Sequence, residues 1–505
     1  MRPSELLKGD DELLSRVDMT LENARWAAGT FAGFDRARTL AVARAVAEAG
    51  AARARDYGDW AVRETGFGVA EHKAIKNQIT STGFYEHYKD HDFVGKRIRE
   101  ADKIVEIARP AGVVFALTPS TNPISTVNFK IMSCLMTRNA IVISPHPAAK
   151  ACSIDAIEHM VEAAHRAGAP EGVIQVVREP SLPLIDAYMR SEKIDVILAT
   201  GGTAMVRAAY SSGNPAIGVG PGNAPAFVDG SADLAKAAQR IVDSKSFDNS
   251  ILCTNESAVI AEEAIADKLL GHLKRAGAYL CSEEERERLR GYLFHEKGFN
   301  IEALGKSATW IAEKLGIRVP AKTRVLLAPI DRVAREERFS QEKLCPVLAF
   351  LRAGDRAHGI ALSHSMLRLI GGGHSAAIHS RDPAMIMAFG SRVKALRVVV
   401  NSPCSQGAAG FGTNLAPSFT IGTGYFGRSS VGDNVGPEHL INWTRIAYNT
   451  EEPFGDFSGI EPWSGPASDG ASAAAPRPAP EPEAAAMRDE IRRIVLEELK
   501  QLLSE

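Results

Sequence analysis

Residues 113–144 read VVFALTPSTNPISTVNFKIMSCLMTRNAIVIS. VVFAL at 113–117 and AIVIS at 140–144 are short apolar runs, and between them a longer stretch runs from Pro123 to Met136. Short buried runs of this kind read as strands and the longer stretch as a helix. The alternation continues with a helix from about Ala149 to Ala167, a strand at 173–177, a helix near 181–191, a strand at 194–199 and a helix from Thr203 to Tyr210. Such a rhythm predicts a parallel sheet covered by helices on both faces. The segment before it, to Val62, reads as helices.

A second α/β unit begins after Cys253. Its strands are expected at 257–261, 324–328, 347–351, 375–379 and 396–400, with helices at 262–275 and about 356–367. Residues 98–109 read as a protruding hairpin. With 439–448 they are candidates for strands used in self-association.

The chain has 505 residues, 59 Lys and Arg against 61 Asp and Glu, and a formal charge of −2. That balance excludes a strongly basic nucleic-acid binder and an acidic solvating tail. No apolar run approaches the roughly 18 residues of a spanning helix, and the start lacks the apolar core of a signal peptide. The six cysteines (134, 152, 253, 281, 345 and 404) show no CxxC spacing, so neither a zinc ribbon nor a dithiol motif is indicated. They suit a reducing, cytoplasmic setting. The histidines show no zinc spacing, and no metal is expected.

Composition shifts sharply at 464–486, SGPASDGASAAAPRPAPEPEAAA, which reads as a disordered linker. Residues 487–505 follow. There Met487, Ile491, Ile494, Val495, Leu499, Leu502 and Leu503 form an apolar stripe of helical period, broken by Glu498. Such a stripe seats in a partner's groove, self-associates or lies on a membrane surface.

Five loops are candidates for chemistry. Cys253, in SFDNSILCTNES (246–257), is either a nucleophilic thiolate or a small buried hydrophobe. Asn122, in TPSTNP (118–123), either aims an amide N–H at developing negative charge or simply caps the helix that Pro123 opens. Thr200-Gly201-Gly202-Thr203 is a phosphate-binding turn or a plain one. GVGPGNAP (218–225) holds no acid or base, and QEKLCPV (341–347) places Glu342 before a strand, where it accepts bonds from sugar hydroxyls or is merely solvated. GTGYFG (422–427) fits GxGxxG, but no helix is expected after it, so it is rejected as a dinucleotide fingerprint. The run EEERER (283–288) reads as a solvated helix face.

Taken together, PSTNP (119–123), TRNAIVISPHPAAK (137–150), TGGTAMVRAAYSSGNPAIGVGPGN (200–223), FDNSILC (247–253), EKLCPV (342–347) and NVGPEHLIN (434–442) resemble the aldehyde dehydrogenase superfamily, specifically its CoA-acylating branch. The resemblance covers roughly residues 20–450. It implies two doubly wound, Rossmann-like parallel-sheet domains of the aldehyde dehydrogenase fold, plus the linker and terminal helix. The implied division is a cofactor-binding domain at 1–245 with the hairpin near 98–109, a catalytic domain at 246–430, a return and oligomerisation segment at 431–463, the linker at 464–486 and a targeting helix at 487–505.

On this resemblance Cys253 is the catalytic thiol, and Asn122 with the Cys253 backbone N–H is the oxyanion donor. Glu342 holds the nicotinamide ribose. Ser120, Ser144, Pro145, Thr200, Gly201, Gly202 and Gly220 belong to the cofactor pocket. Ser144 stands where hydrolytic members carry a ribose-binding Lys, leaving NAD against NADP open. Gly218 stands where they carry the water-activating Glu, which favours CoA as acyl acceptor over water. The implied activity converts a short-chain aldehyde, CoA and NAD(P)+ to acyl-CoA. The alternatives are a hydrolytic dehydrogenase, a non-catalytic scaffold that presents the tail, and an enzyme for sulfoacetaldehyde that uses Arg428. A linker and amphipathic tail on such an enzyme resemble the encapsulation peptides of bacterial microcompartments, implying a shell-protein partner and a homodimer or homotetramer.

Overall fold

A computed structural model of the chain describes residues 9–296 and 298–462, and the compact body ends at Phe454. The readings of 464–486 and 487–505 lie outside the described residues. Among the described residues no helix is long and apolar enough to cross a membrane.

Helices Gly9–Phe31, Arg36–Ala52 and Ala54–Thr65 open the fold, followed by a short helix, Ala70–Gln78. The first sheet has five parallel strands in the spatial order Ile174–Val176, Ala140–Ser144, Val113–Leu117, Val196–Thr200, Ala216–Val219. Val113–Leu117 is central, and the chain winds outward from it in both directions. At such a strand the connections leave to opposite faces and open a crevice beyond the carboxyl ends. The helix that follows, Pro123–Leu135, is buried on every side, as its apolar composition requires. Its one ammonium, Lys130, is satisfied by the Leu117 and Leu198 carbonyls at 2.6 and 2.7 Å, pinning the ends of the two diverging strands. Phe115 and Phe129 are fully buried in this core, and truncating either to Ala costs about 3–5 kcal/mol.

The second sheet has seven parallel strands in the order Ala278–Leu280, Val325–Pro329, Val347–Ala353, Glu256–Glu262, Ala224–Val228, Gly373–His379, Ala395–Val400. Ala224–Val228 was not expected here, since residues to 245 were assigned to the cofactor-binding part. It pairs with Glu256–Glu262 and Gly373–His379, so the chain passes between sheets at 220–223. The glycine-proline loop before it masks the strand, because APAFV reads as a continuation of that loop. The helices Ala70–Gln78 and Pro383–Arg392 were not anticipated either. The acidic run does open a solvated helix, Glu283–Leu293, with a Ser282–Glu285 capping box.

The hairpin is present as Lys96–Arg99 and Ile104–Pro110, and Ile441–Ala447 joins it in an antiparallel three-stranded sheet with Trp443 opposite Ala108. The Arg97 guanidinium lies 4.0 Å over the Trp443 ring. Tyr425–Gly427 is a single 3-10 turn, as expected for a GxGxxG that opens no helix.

Candidate active site

In-register pairing of Leu117 with Ser144 and with Ala199 brings three strand ends level. The loops leaving them, together with 218–223, 251–254 and 342–344, enclose a cavity of about 540 Å³. Ser120, Asn122, Ser144, Pro145, Thr200, Gly201, Gly202, Gly220, Cys253 and Glu342 all line it. Sequence positions more than two hundred residues apart therefore share one wall.

On the first sheet's side, the Thr118 and Ser144 hydroxyls are buried without a hydrogen-bond partner. Beside them helix Thr203–Tyr210 starts at Gly202 with no side-chain cap, and nothing lies within 4 Å of a Cβ built on Gly202. Unmet buried hydroxyls and an uncapped helix start with an open approach fit sugar hydroxyls and a diphosphate, which are the parts of a dinucleotide. His146 also lines the cavity and was missed. Its Nδ1 accepts from the Ala148 N–H at 3.1 Å, so the neutral ring carries its hydrogen on Nε2. The residue is exposed, and partial desolvation of the ring lowers its pKa from the usual value.

On the other side, helix Leu234–Ser246 ends in a turn in which Asp248, Asn249 and Ser250 have φ of 49°, 51° and 63°. Left-handed conformations at residues with a Cβ cost about 1–2 kcal/mol each. The turn is held by the N-terminal helices. Asp248 N–H donates to His72 Nδ1 at 2.9 Å, and Asp248 Oδ1 accepts from the Val69 N–H at 2.6 Å. Asp248 Oδ2 receives the ammonium groups of Lys73, at 3.3 Å, and of Lys76. Asn249 Nδ2 donates to the Gly305 carbonyl at 2.9 Å.

Cys253 follows, half-buried. Burial, then the nearby Glu342 carboxylate, pushes its thiol up to about 12, so the resting sulfur is protonated. The five other cysteines are fully buried. Glu342 Oε1 accepts from the Gly222 N–H at 3.0 Å, and burial raises its carboxyl to about 7. Asn122 does not cap the helix that Pro123 opens. Its Oδ1 accepts from Lys76 Nζ, and its Nδ2 donates to Thr121 Oγ1 at 3.3 Å.

One expectation needs correction. Gly218 does not face the cavity. A Cβ there would meet Val206 Cγ1 at 2.7 Å and Tyr210 Cε2 at 3.1 Å, so a side chain would run into helix Thr203–Tyr210 rather than toward Cys253. Among the lining residues Glu342 is the one carboxylate and His146 the one imidazole. Arg428 is exposed on a left-handed turn outside the lining, which contains no Lys or Arg.

The model of the Aldehyde dehydrogenase family matches residues 11–414. The chain is 41% identical over 399 residues to the aldehyde-alcohol dehydrogenase of Clostridium acetobutylicum, covering 77% of this chain and 46% of that protein. It spans about half the length of the first curated relatives it matches. Among solved structures it is similar to an acetylating aldehyde dehydrogenase from Geobacillus thermoglucosidasius, with a TM-score of 0.86 and 38% identity over 89% of this chain and 100% of that one. It is also similar to a propionaldehyde dehydrogenase from the fucose utilisation bacterial microcompartment of Clostridium phytofermentans, with a TM-score of 0.78 and 29% identity over 86% and 97% of the two chains. The chain belongs to the aldehyde dehydrogenase family.

Proposed function

We propose that the chain is a CoA-acylating aldehyde dehydrogenase that oxidises a short-chain aldehyde with NAD(P) and hands the acyl group from Cys253 to CoA. The observation that carries this reading is the lining of this cavity: a cysteine, an asparagine amide and a single carboxylate, with no second carboxylate to activate water. The similarity to an acetylating enzyme supports it.

Cys253, once deprotonated, attacks the aldehyde carbonyl carbon. Asn122 Nδ2 and the Cys253 backbone N–H receive the charge that develops on oxygen, an interaction stronger in the transition state than in the ground state. NAD(P), when bound, supplies the two-electron acceptor. Ser144, Thr200, Gly201 and Gly202 would hold its adenosine and diphosphate, with Ser120, Pro145 and Gly220 along the same wall, and Glu342 its nicotinamide ribose. The thioester left on Cys253 meets apolar walls, including Leu117, Ile251, Leu252, Leu344 and Phe419. A thiol nucleophile such as CoA then displaces the acyl group with little help from a base, whereas water needs one.

The test is NADH or NADPH formation from a panel of aldehydes, with and without CoA, and product identification by mass. Multiple turnover is expected only with CoA, yielding acyl-CoA. Rapid turnover to a free acid without CoA refutes the reading.

The division into a cofactor-binding part at 1–245, a catalytic part at 246–430 and a return segment at 431–463 belongs to this proposal, with the sheet boundary moved to 220–223. So do the cytoplasmic setting and a homodimer or homotetramer built on the three-stranded sheet. The apolar stripe of 487–505 and the similarity to a microcompartment enzyme support recruitment to a shell protein. Fusing 464–505 to a fluorescent reporter in a cell that makes the cognate shell tests this. Diffuse signal without co-purification would leave the tail as an association device.

A further inference from the structure

Asp248 is fully buried and has two ammonium groups against its single carboxylate. Lys76 is the nearer of the two, Lys73 stands at 3.3 Å, and the Val69 N–H satisfies the other oxygen at 2.6 Å, so either lysine alone would compensate the charge. A second buried cation is therefore not explained by charge compensation, and burying it is costly. Lys76 is 2% exposed, and burial lowers its pKa to about 8. What distinguishes the two lysines is their second contact. Lys73 Nζ donates to the Thr121 carbonyl at 2.9 Å, whereas Lys76 Nζ donates to Asn122 Oδ1.

An ammonium has donors only. Whichever amide atom faces Lys76 must be the oxygen, so the amide is fixed in one of its two orientations by chemistry. Free of this contact, an asparagine amide turns through half a revolution at small cost and would present its oxygen, an acceptor, to a developing oxyanion.

We infer that Lys76 is a positioning residue for Asn122, its ammonium taking Oδ1 so that Nδ2 is presented to the reacting carbonyl. The same ammonium touches Asp248, where Lys73 and the Val69 N–H remain to hold the turn when Lys76 is removed. The inference rests on the proposed roles of Asn122 and Cys253.

A double-mutant cycle on the full chain tests it, read as the rate of the first turnover of NADH formation at saturating aldehyde. Asn122→Ala is expected to slow this step by about 10²–10³-fold, the usual effect of losing an oxyanion donor. Lys76→Met is expected to slow it by about tenfold or more, yet by less than about twofold in the Asn122→Ala background, since a residue acting through another has nothing left to position. NAD binding and the rate of iodoacetamide labelling of Cys253 should be unchanged by Lys76→Met; a lysine that merely supports the turn would alter the labelling. Equal losses in both backgrounds overturn the inference about Lys76 while leaving Asn122 in its role. No loss in Asn122→Ala overturns the oxyanion reading and the inference with it. If Lys76→Met does not fold, Lys76→Met/Asp248→Asn compared with Asp248→Asn, each with and without Asn122→Ala, gives the same cycle without an orphaned carboxylate.

Discussion

Gly222 is packed directly against the backbone of Cys253. A Cβ built on it would lie 1.8 Å from the Cys253 carbonyl oxygen and 2.9 Å from its carbonyl carbon. Its φ is not in the left-handed region, so alanine is conformationally allowed and the effect of Gly222→Ala is steric. Ordinary contact begins near 3.4 Å, so the two backbones must part by about 1.5 Å, and a misplacement of about 1 Å at a reacting centre costs on the order of 10²-fold. Separation also strains the Gly222 N–H···Glu342 bond, moving the one carboxylate of the lining along with the thiol. The expected result is a loss of about 10²-fold in kcat/KM for the aldehyde, with stability lowered by about 1–3 kcal/mol, the usual cost of overpacking. The assay is steady-state NADH formation with CoA, beside a thermal melt. Gly390→Ala, where nothing lies within 4 Å of the new methyl, serves as the control for a Gly-to-Ala change in itself. Gly222→Ala activity within threefold of the parent would mean that the Cys253 backbone is mobile enough to yield, and the geometric argument for a preset nucleophile would fall.

Cys253→Ala should abolish aldehyde oxidation while the melting temperature and NAD binding stay near those of the parent; residual turnover near the parent rate would move the nucleophile elsewhere. Glu342 has a carboxyl raised from 4.5 to about 7 by burial, so its acceptor-only ionised form is lost as pH falls below about 7. The KM for NAD(P) should then rise on acidification, a trend that Glu342→Gln flattens. The sign for folding is opposite: this group favours the fold fully below pH 4.5 and loses that contribution as pH rises through about 7, so the melting temperature should fall less across that window in Glu342→Gln. Gly218→Glu should not create a hydrolase, because its side chain meets Val206 and Tyr210; free-acid production without CoA by that variant would show that the strand can turn the residue toward Cys253.

The parallel strands at 113–117 and 140–144 were legible because a strand buried on both faces needs an uninterrupted apolar run, and all ten of their residues are buried. Ala224–Val228 was not legible, although it is equally buried. Pro225 and the preceding GPGN imitate a turn, and only pairing with strands far along the chain reveals the sheet to which it belongs. The site loops were legible from residue type and from family resemblance. The direction of Gly218 was not, because a glycine carries no side chain to mark which face of its strand it presents.

Lys73, Lys76 and Asp248 show where reading along the chain stops. At i and i+3 on a short helix, AEHKAIKNQ looks like a solvated surface, and its composition gives no hint that both lysines are buried. Their burial is set by a carboxylate more than 170 residues away and by a loop more than 40 residues away. Charge in a helix is ordinarily a sign of exposure, and it reverses meaning only when a counter-charge arrives from elsewhere. The left-handed turn at 248–250 has the same origin. Asn tolerates that conformation and Asp to a degree, and the turn is fixed from outside: the Val69 N–H, His72 and the two lysines hold Asp248, and the Gly305 carbonyl holds Asn249. Helix Ala70–Gln78, which a sequence reading leaves unassigned, is therefore part of what shapes the approach to Cys253. A substitution that only loosens this helix against the 246–253 segment should slow the chemical step before it lowers the stability of either sheet.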